Sequence, residues 1–176
     1  MEKESSKIKR VGYANVMGML KKDHLEIHEL FQVYKKTAEN AFQTRSDVFA
    51  EMKQELERNM LLEEEIFYPA VKEASQESEV YVLVQHMLKE HDEIKELLRE
   101  LVTLEPVEKE FDKKLRVLMG KVLDHIEGEE KELFLQARRV LAPEKVRELA
   151  LQIEKRKKEI IQWYVHPSEE KIGISA

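Results

Sequence analysis

Two stretches of the chain, KDHLEIHEL (Lys22–Leu30) and KEHDEIKEL (Lys89–Leu97), agree at six of nine positions, and their reading decides the fold. In each, the histidine falls on the apolar seam of a helix with 3-and-4 spacing: Leu20, His24, Ile27 and Phe31 in the first, Val84, Met87, His91, Ile94 and Leu98 in the second. A further pair, NMLLEEEIFY from Asn59 and HIEGEEKELF from His125, aligns at nearly the same offset, 66 residues against 67. Glu63 and Glu64 then coincide with Glu129 and Glu130. Matching Leu and Glu alone is what any two amphipathic helices show. Histidine on histidine and an acid pair on an acid pair point to a tandem helix pair, folded about a pseudo-twofold along a bundle.

Extending these seams outward predicts five helices. The first runs from about Gly12 to Glu39 and the second from about Ser46 to Lys72, the latter with a stripe of Phe49, Met52, Leu56, Asn59, Glu63, Ile66 and Ala70. The third spans about Glu77 to Leu104. Pro106 breaks the chain before a fourth, about Val107 to Leu141. Pro143 suits the first position of a fifth, whose stripe is Val146, Leu149, Ile153, Ile160 and Tyr164. Short polar links such as AFQTR and SQESE make neighbours antiparallel. The expected fold is all-α: an up-down antiparallel four-helix bundle with an additional C-terminal helix. It forms one domain over residues 1–166, with the bundle at about 12–141, the fifth helix at about 143–165 and a flexible tail at 167–176. The fifth helix either covers the bundle or meets another subunit, which leaves a homodimer through it open. Trp163 and Tyr164 read as packing or an interface anchor.

Composition bounds the function. The 176 residues suffice for one domain with a core. Five glycines, four prolines and 38% charged residues suit long solvated helices rather than sheets. The formal net charge is −6 with signs interleaved, so neither nucleic acid nor an anionic membrane is an expected partner. Cysteine is absent, which removes disulfides, iron–sulfur clusters, thiolate zinc sites and thiol catalysis. The N-terminal MEKESSKIKR has no apolar core of a signal peptide, and no apolar run reaches membrane-spanning length. A cytoplasmic protein is the expectation.

The chemistry lies in the residues that break the apolar pattern. His24, Glu63, His91, His125 and Glu129 each stand where a core Leu or Ile belongs. A single histidine on such a stripe is more often a satisfied core residue than a ligand. Five imidazoles and carboxylates at matched levels, recurring in a repeat, form a set that a cation would hold together, because buried carboxylates are unfavourable without one. Imidazole plus carboxylate without sulfur suits iron, manganese or zinc, and two carboxylates from opposite helices suit a dinuclear iron site. His125 and Glu129, four apart on one face, form a natural chelating pair. The acids beside the ligands have two readings, as partners that orient the imidazoles or as solvated helix surface. Asp23 and Glu90 read as surface; Glu64 and Glu130 stay open between the two. Other metal motifs fail. The residues three before the histidines supply no Glu-x-x-His, Leu25 stands where a zincin pair would carry its glutamate, and the methionines read as core filler.

The segments DHLEIHELF, LEEEIFYP, KEHDEIKELL and HIEGEEKELF, spread over roughly residues 15 to 140, resemble the hemerythrin-like, or HHE cation-binding, family. The resemblance implies a non-haem diiron bundle that binds or senses O2, NO or iron. It makes His24, His91 and His125 imidazole ligands and Glu63 and Glu129 bridging acids. Two family histidines are missing: Asn59 stands four before Glu63, and Met87 four before His91. His28, displaced from His24 in the axial direction in which Asn59 is displaced from Glu63, is the candidate to fill the first gap. His86 lies beside the second but about 100° off the seam, and ranks lower.

The expected function is reversible binding or sensing of O2 or NO, or iron handling, at a metal position the protein leaves open, rather than catalysis. A rival reading is a diiron oxidoreductase acting on peroxide or nitric oxide, or repairing iron centres, with an external reductant. A third is a metal-free interaction module in which the acid–imidazole cluster is a hydrogen-bonded core network.

Overall fold

The structure is a computed structural model that describes residues 15–75 and 77–165. The elements are α1 (Val16–Lys36), α2 (Phe42–Leu62), a π-helical turn (Glu63–Phe67), α3 (Tyr68–Ala74), α4 (Ser78–Val102), α5 (Lys109–Gly128), a second π-helical turn (Glu129–Leu133), α6 (Phe134–Val140) and α7 (Pro143–Val165). The segments α2–α3 and α5–α6 are each one continuous rod with a widened turn inside. Four rods therefore form an antiparallel bundle, with α1 against α2 and α4 against α5, and the expected all-α architecture is present. The expected start at Gly12, His166 and the tail from Pro167 lie outside the described residues, as do the side chains of Trp163 and Tyr164.

Local signals account for the boundaries. Asn15 caps α1 by accepting a hydrogen bond from the Met17 amide at 3.1 Å. The segment AFQTR, expected as a link, is already helical from Phe42. The reason is Arg45, which is buried inside the first turn, donates to the Tyr34 hydroxyl at 3.0 Å and pairs with Asp112 of α5. A first turn fastened to two other rods stays helical where a solvated one would fray. At the other end, α7 lays Leu149, Ala150 and Ile153, all buried, onto the bundle against α1, α2 and the first π turn. Leu149 and Ile153 of the expected stripe therefore cover the bundle itself.

The core has two apolar halves. One gathers Val16, Leu20, Phe67, Val71, Val84, Phe134 and Ile153; the other gathers Ile27, Phe31, Met52, Ile94, Leu98, Phe111 and Leu115. Their sequence positions place the polar residues His24, Asn59, Glu63, His91, His125 and Glu129 as a layer between them. No helix among the described residues is long and apolar enough to cross a membrane.

Candidate metal centre

Both π turns begin at the glutamates of the repeat. The Tyr68 amide bonds back to the Glu63 carbonyl, and the Phe134 amide to that of Glu129, five residues earlier rather than four. The apolar register explains why. Buried positions in the second rod run Asn59, Glu63, Phe67, Val71, and in the fourth His125, Glu129, Leu133, Ala137. Three successive steps of four drift by about 120° around a regular helix. One extra residue in a widened turn cancels most of that drift and keeps the glutamates and the apolar side chains beyond them facing inward. The expected stripe through Ile66 is corrected accordingly: Ile66 is only partly buried, and Phe67 and Tyr68 take the core positions.

The five expected residues converge, and all are buried. Glu63 sits at the centre. Its Oε1 lies 3.3 Å from His24 Nε2 and accepts a 2.7 Å hydrogen bond from the Asn59 amide. Its Oε2 lies 3.2 Å from His91 Nε2 and accepts from the Tyr68 hydroxyl at 3.3 Å. His91 Nε2 faces His125 Nε2 at 3.0 Å, and His24 Nε2 faces Glu129 Oε2 at 3.2 Å. The groups Glu63–His91–His125 and His24–Glu63–Glu129 each bring their ligand atoms within 4.8 Å of one another.

Each imidazole is held from behind. His24 Nδ1 donates to Glu130 at 2.9 Å, His91 Nδ1 to Glu64 at 2.7 Å and His125 Nδ1 to Glu90 at 2.9 Å. These acids are themselves braced, Glu130 by Lys21 at 2.6 Å, Glu64 by Lys95 at 2.7 Å and Glu90 by His86 at 3.2 Å. A carboxylate accepts only, so a ring hydrogen belongs on Nδ1 and Nε2 points into the cluster, as a donor when the ring is protonated and as a lone pair when it is not. Glu90 thus orients the His125 imidazole rather than serving as solvated surface, and Glu64 and Glu130 do the same for His91 and His24. Asp23 is not solvated either: it is buried beneath α7 and paired with Lys157.

The electrostatics describe a site short of positive charge. Neither oxygen of the fully buried Glu129 accepts a hydrogen bond among the described residues; the His24 contact has ion-pair distance without hydrogen-bond direction. Burial and the negative charge of Glu63 push its carboxyl above the usual range. Burial would raise Glu63 as well, but hydrogen bonds from His24 and His91 outweigh it and hold Glu63 ionised. One carboxylate is therefore satisfied and the other is not. Burial opposes the imidazolium of His24, yet Glu129 and Glu63 push its pKa up to about 11; Glu63 and Glu64 likewise push His91 up to about 9. In the metal-free protein, protons take the place a cation would fill. The facing Nε2 atoms of His91 and His125 show the same deficit, because two lone pairs 3.0 Å apart require a shared proton or ion.

The donor set fits a dinuclear centre. Glu63, His91 and His125 would hold one ion and His24, Glu63 and Glu129 the other, with Glu63 giving an oxygen to each. Two expectations fail geometrically. His28 is exposed, one position past the seam residue Ile27, and its Nε2 lies 3.4 Å from the Gln32 amide nitrogen rather than near Asn59. His86 is also exposed and reaches the cluster only through Glu90. Met87 is buried core. Tyr68 is the residue that the reading of the sequence missed. Its hydroxyl lies 3.3 Å from both Glu63 and His91, and burial with the charges of Glu129 and Glu63 keeps it protonated. The steps of four through Glu63 and Phe67 carry the signal for it, since they require a widened turn that brings the next residue inward.

Comparison with known proteins gives this arrangement a family. The chain matches the Hemerythrin HHE cation binding domain over residues 15–137. It belongs to that family. Its fold is similar to the crystal structure of a hemerythrin HHE cation binding domain-containing protein from Mycobacterium kansasii, with a TM-score of 0.74 and 19% identity over 89% of this chain and 94% of that one. A curated relative, a DNA nickase from Nostoc sp. strain PCC 7120, is 28% identical over 148 residues. That match takes in 84% of this chain but 40% of the relative, so the chain spans about two fifths of the length of that protein.

Proposed function

We propose that this HHE domain holds a non-haem dinuclear iron centre and reversibly binds a small diatomic ligand, O2 or NO, at it. The observation that carries the reading is Glu129, a fully buried carboxylate that accepts no hydrogen bond among the described residues, 3.2 Å from His24 Nε2 and grouped with His24 and Glu63, while Glu63 is grouped in turn with His91 and His125. Leaving such a carboxylate uncompensated is unfavourable by several kcal/mol, and a cation relieves it. Iron in this donor set would supply a Lewis-acidic, redox-active centre with coordination positions that the protein does not fill. The chain's own part is to orient the three imidazoles through Glu130, Glu64 and Glu90. It also excludes bulk water with the two apolar halves and places a protonated phenol, Tyr68, beside Glu63 and His91.

The buried Tyr68 hydroxyl favours a second reading, in which iron at this site, supplied with electrons by an external reductant, would support reduction of peroxide or nitric oxide and the Tyr68 phenol would donate a proton. No nuclease activity is carried over from the nickase: a formal net charge of −6 has the wrong sign for steering onto a phosphate backbone. The test is an optical spectrum of the iron-loaded, reduced protein before and after O2 or NO. A new band that reverses on removing the gas supports ligand binding. Consumption of peroxide that fails in Tyr68→Phe with metal content unchanged supports the second reading. An unchanged spectrum with both gases overturns the first.

A further inference from the structure

The two halves of the centre are not equivalent, and the pseudo-twofold shows where they part. The repeat pairs His24 with His91 and Asn59 with His125. The first position gathers two imidazole nitrogens and one carboxylate, from His91, His125 and Glu63; the second gathers one imidazole and two carboxylates, from His24, Glu63 and Glu129. Asn59 stands where a second imidazole of the latter would be. It lies on that side of the bridge, bonded at 2.7 Å to Glu63 Oε1, the oxygen that faces His24.

Donor chemistry discriminates between ions. Affinity rises from Mn2+ to Fe2+ at nitrogen and oxygen sites alike, so selection rests on ligand type and supply: imidazole suits iron, whereas a carboxylate-dominated set suits manganese. Resting on the dinuclear reading above, we infer that the centre has two chemically distinct positions: an iron position at Glu63–His91–His125 that fills first, and an oxygen-rich position at His24–Glu63–Glu129 that accepts manganese. With iron alone the protein would carry two irons; with both metals on offer it would carry one of each.

The test is anaerobic loading of the metal-free full chain with one equivalent of Fe2+ and a tenfold excess of Mn2+, read by native mass spectrometry with elemental analysis. The expected result is a dominant species with one iron and one manganese. Asn59→His should move the oxygen-rich position toward iron, so that two equivalents of Fe2+ in the same excess of Mn2+ give mostly the two-iron species, where the wild type given two equivalents keeps a manganese. Mixed populations of two-iron and two-manganese chains would overturn the inference, as would iron without manganese, and both would leave the metal centre itself standing. A chain that binds neither metal would overturn the dinuclear reading and this inference together. If Asn59→His fails to fold, the wild-type distribution alone decides.

Discussion

Glu129 is the residue on which metal binding turns. Its fully buried carboxylate accepts no hydrogen bond among the described residues, and without a cation its charge is met by the proton that it helps His24 to hold. Replacing it with glutamine removes the charge while keeping the shape, and leaves a cation one carboxylate short. Glu129→Gln should therefore lower the number of bound metals in elemental analysis and bring the His24 pKa down from about 11 in an NMR titration of the metal-free protein. Protonation gives a second prediction at this scale. The folded-state pKa values of His24, about 11, and His91, about 9, lie above the ordinary 6.5. Their protons therefore stabilise the metal-free fold, fully below about pH 6.5, and that contribution is lost as pH rises through 9 and then 11. Thermal melts in chelator should show the midpoint falling from pH 6.5 toward pH 9, and metal uptake at neutral pH should release protons to a weak buffer.

At the scale of elements, the braces behind the ligands and the fifth helix each carry a separable effect. Glu64 holds His91 Nδ1 and is held by Lys95. Glu64→Ala frees that ring to turn and should weaken metal binding about 10- to 100-fold while leaving the helical content unchanged, as titration with circular dichroism would show. Ile153 is fully buried between α7 and the bundle. Ile153→Ala should lower stability by about 2–5 kcal/mol in denaturant unfolding of the metal-free protein, with metal stoichiometry preserved. These elements also mark how far the sequence could be read. The seams through Leu20, Ile27, Val84 and Ile94 carry strong 3-and-4 spacing, and the helices they predicted are present. The π turns were hidden because a stripe of fours resembles a regular one over two steps and departs from it only over three. His28 looked available from axial displacement alone; its rotation past Ile27 turns it to solvent. Glu90 looked like surface because its sequence neighbours are polar, whereas its partner His125 lies 35 residues away on another rod.

The whole molecule is two apolar cores joined through a polar layer, and that layout links folding to occupancy. A cation bound only by the folded chain stabilises it by mass action, about 4 kcal/mol when its concentration is a thousand times the dissociation constant. The four rods that meet at the layer are otherwise held there by acid–imidazole contacts that include one unsatisfied carboxylate and one pair of opposed nitrogens. The fifth helix adds cover on the α1 and α2 side, with Lys157 on Asp23 and Arg156 on Glu65 tying it to residues beside the ligands. The measurement that bears most directly on this account is elemental analysis of the protein purified from iron-supplemented cells, joined to its melting temperature with and without chelator. The account predicts about two metal ions per chain and a midpoint that drops by several degrees when they are stripped. Protein that carries no stoichiometric metal and melts at the same temperature in chelator would contradict it.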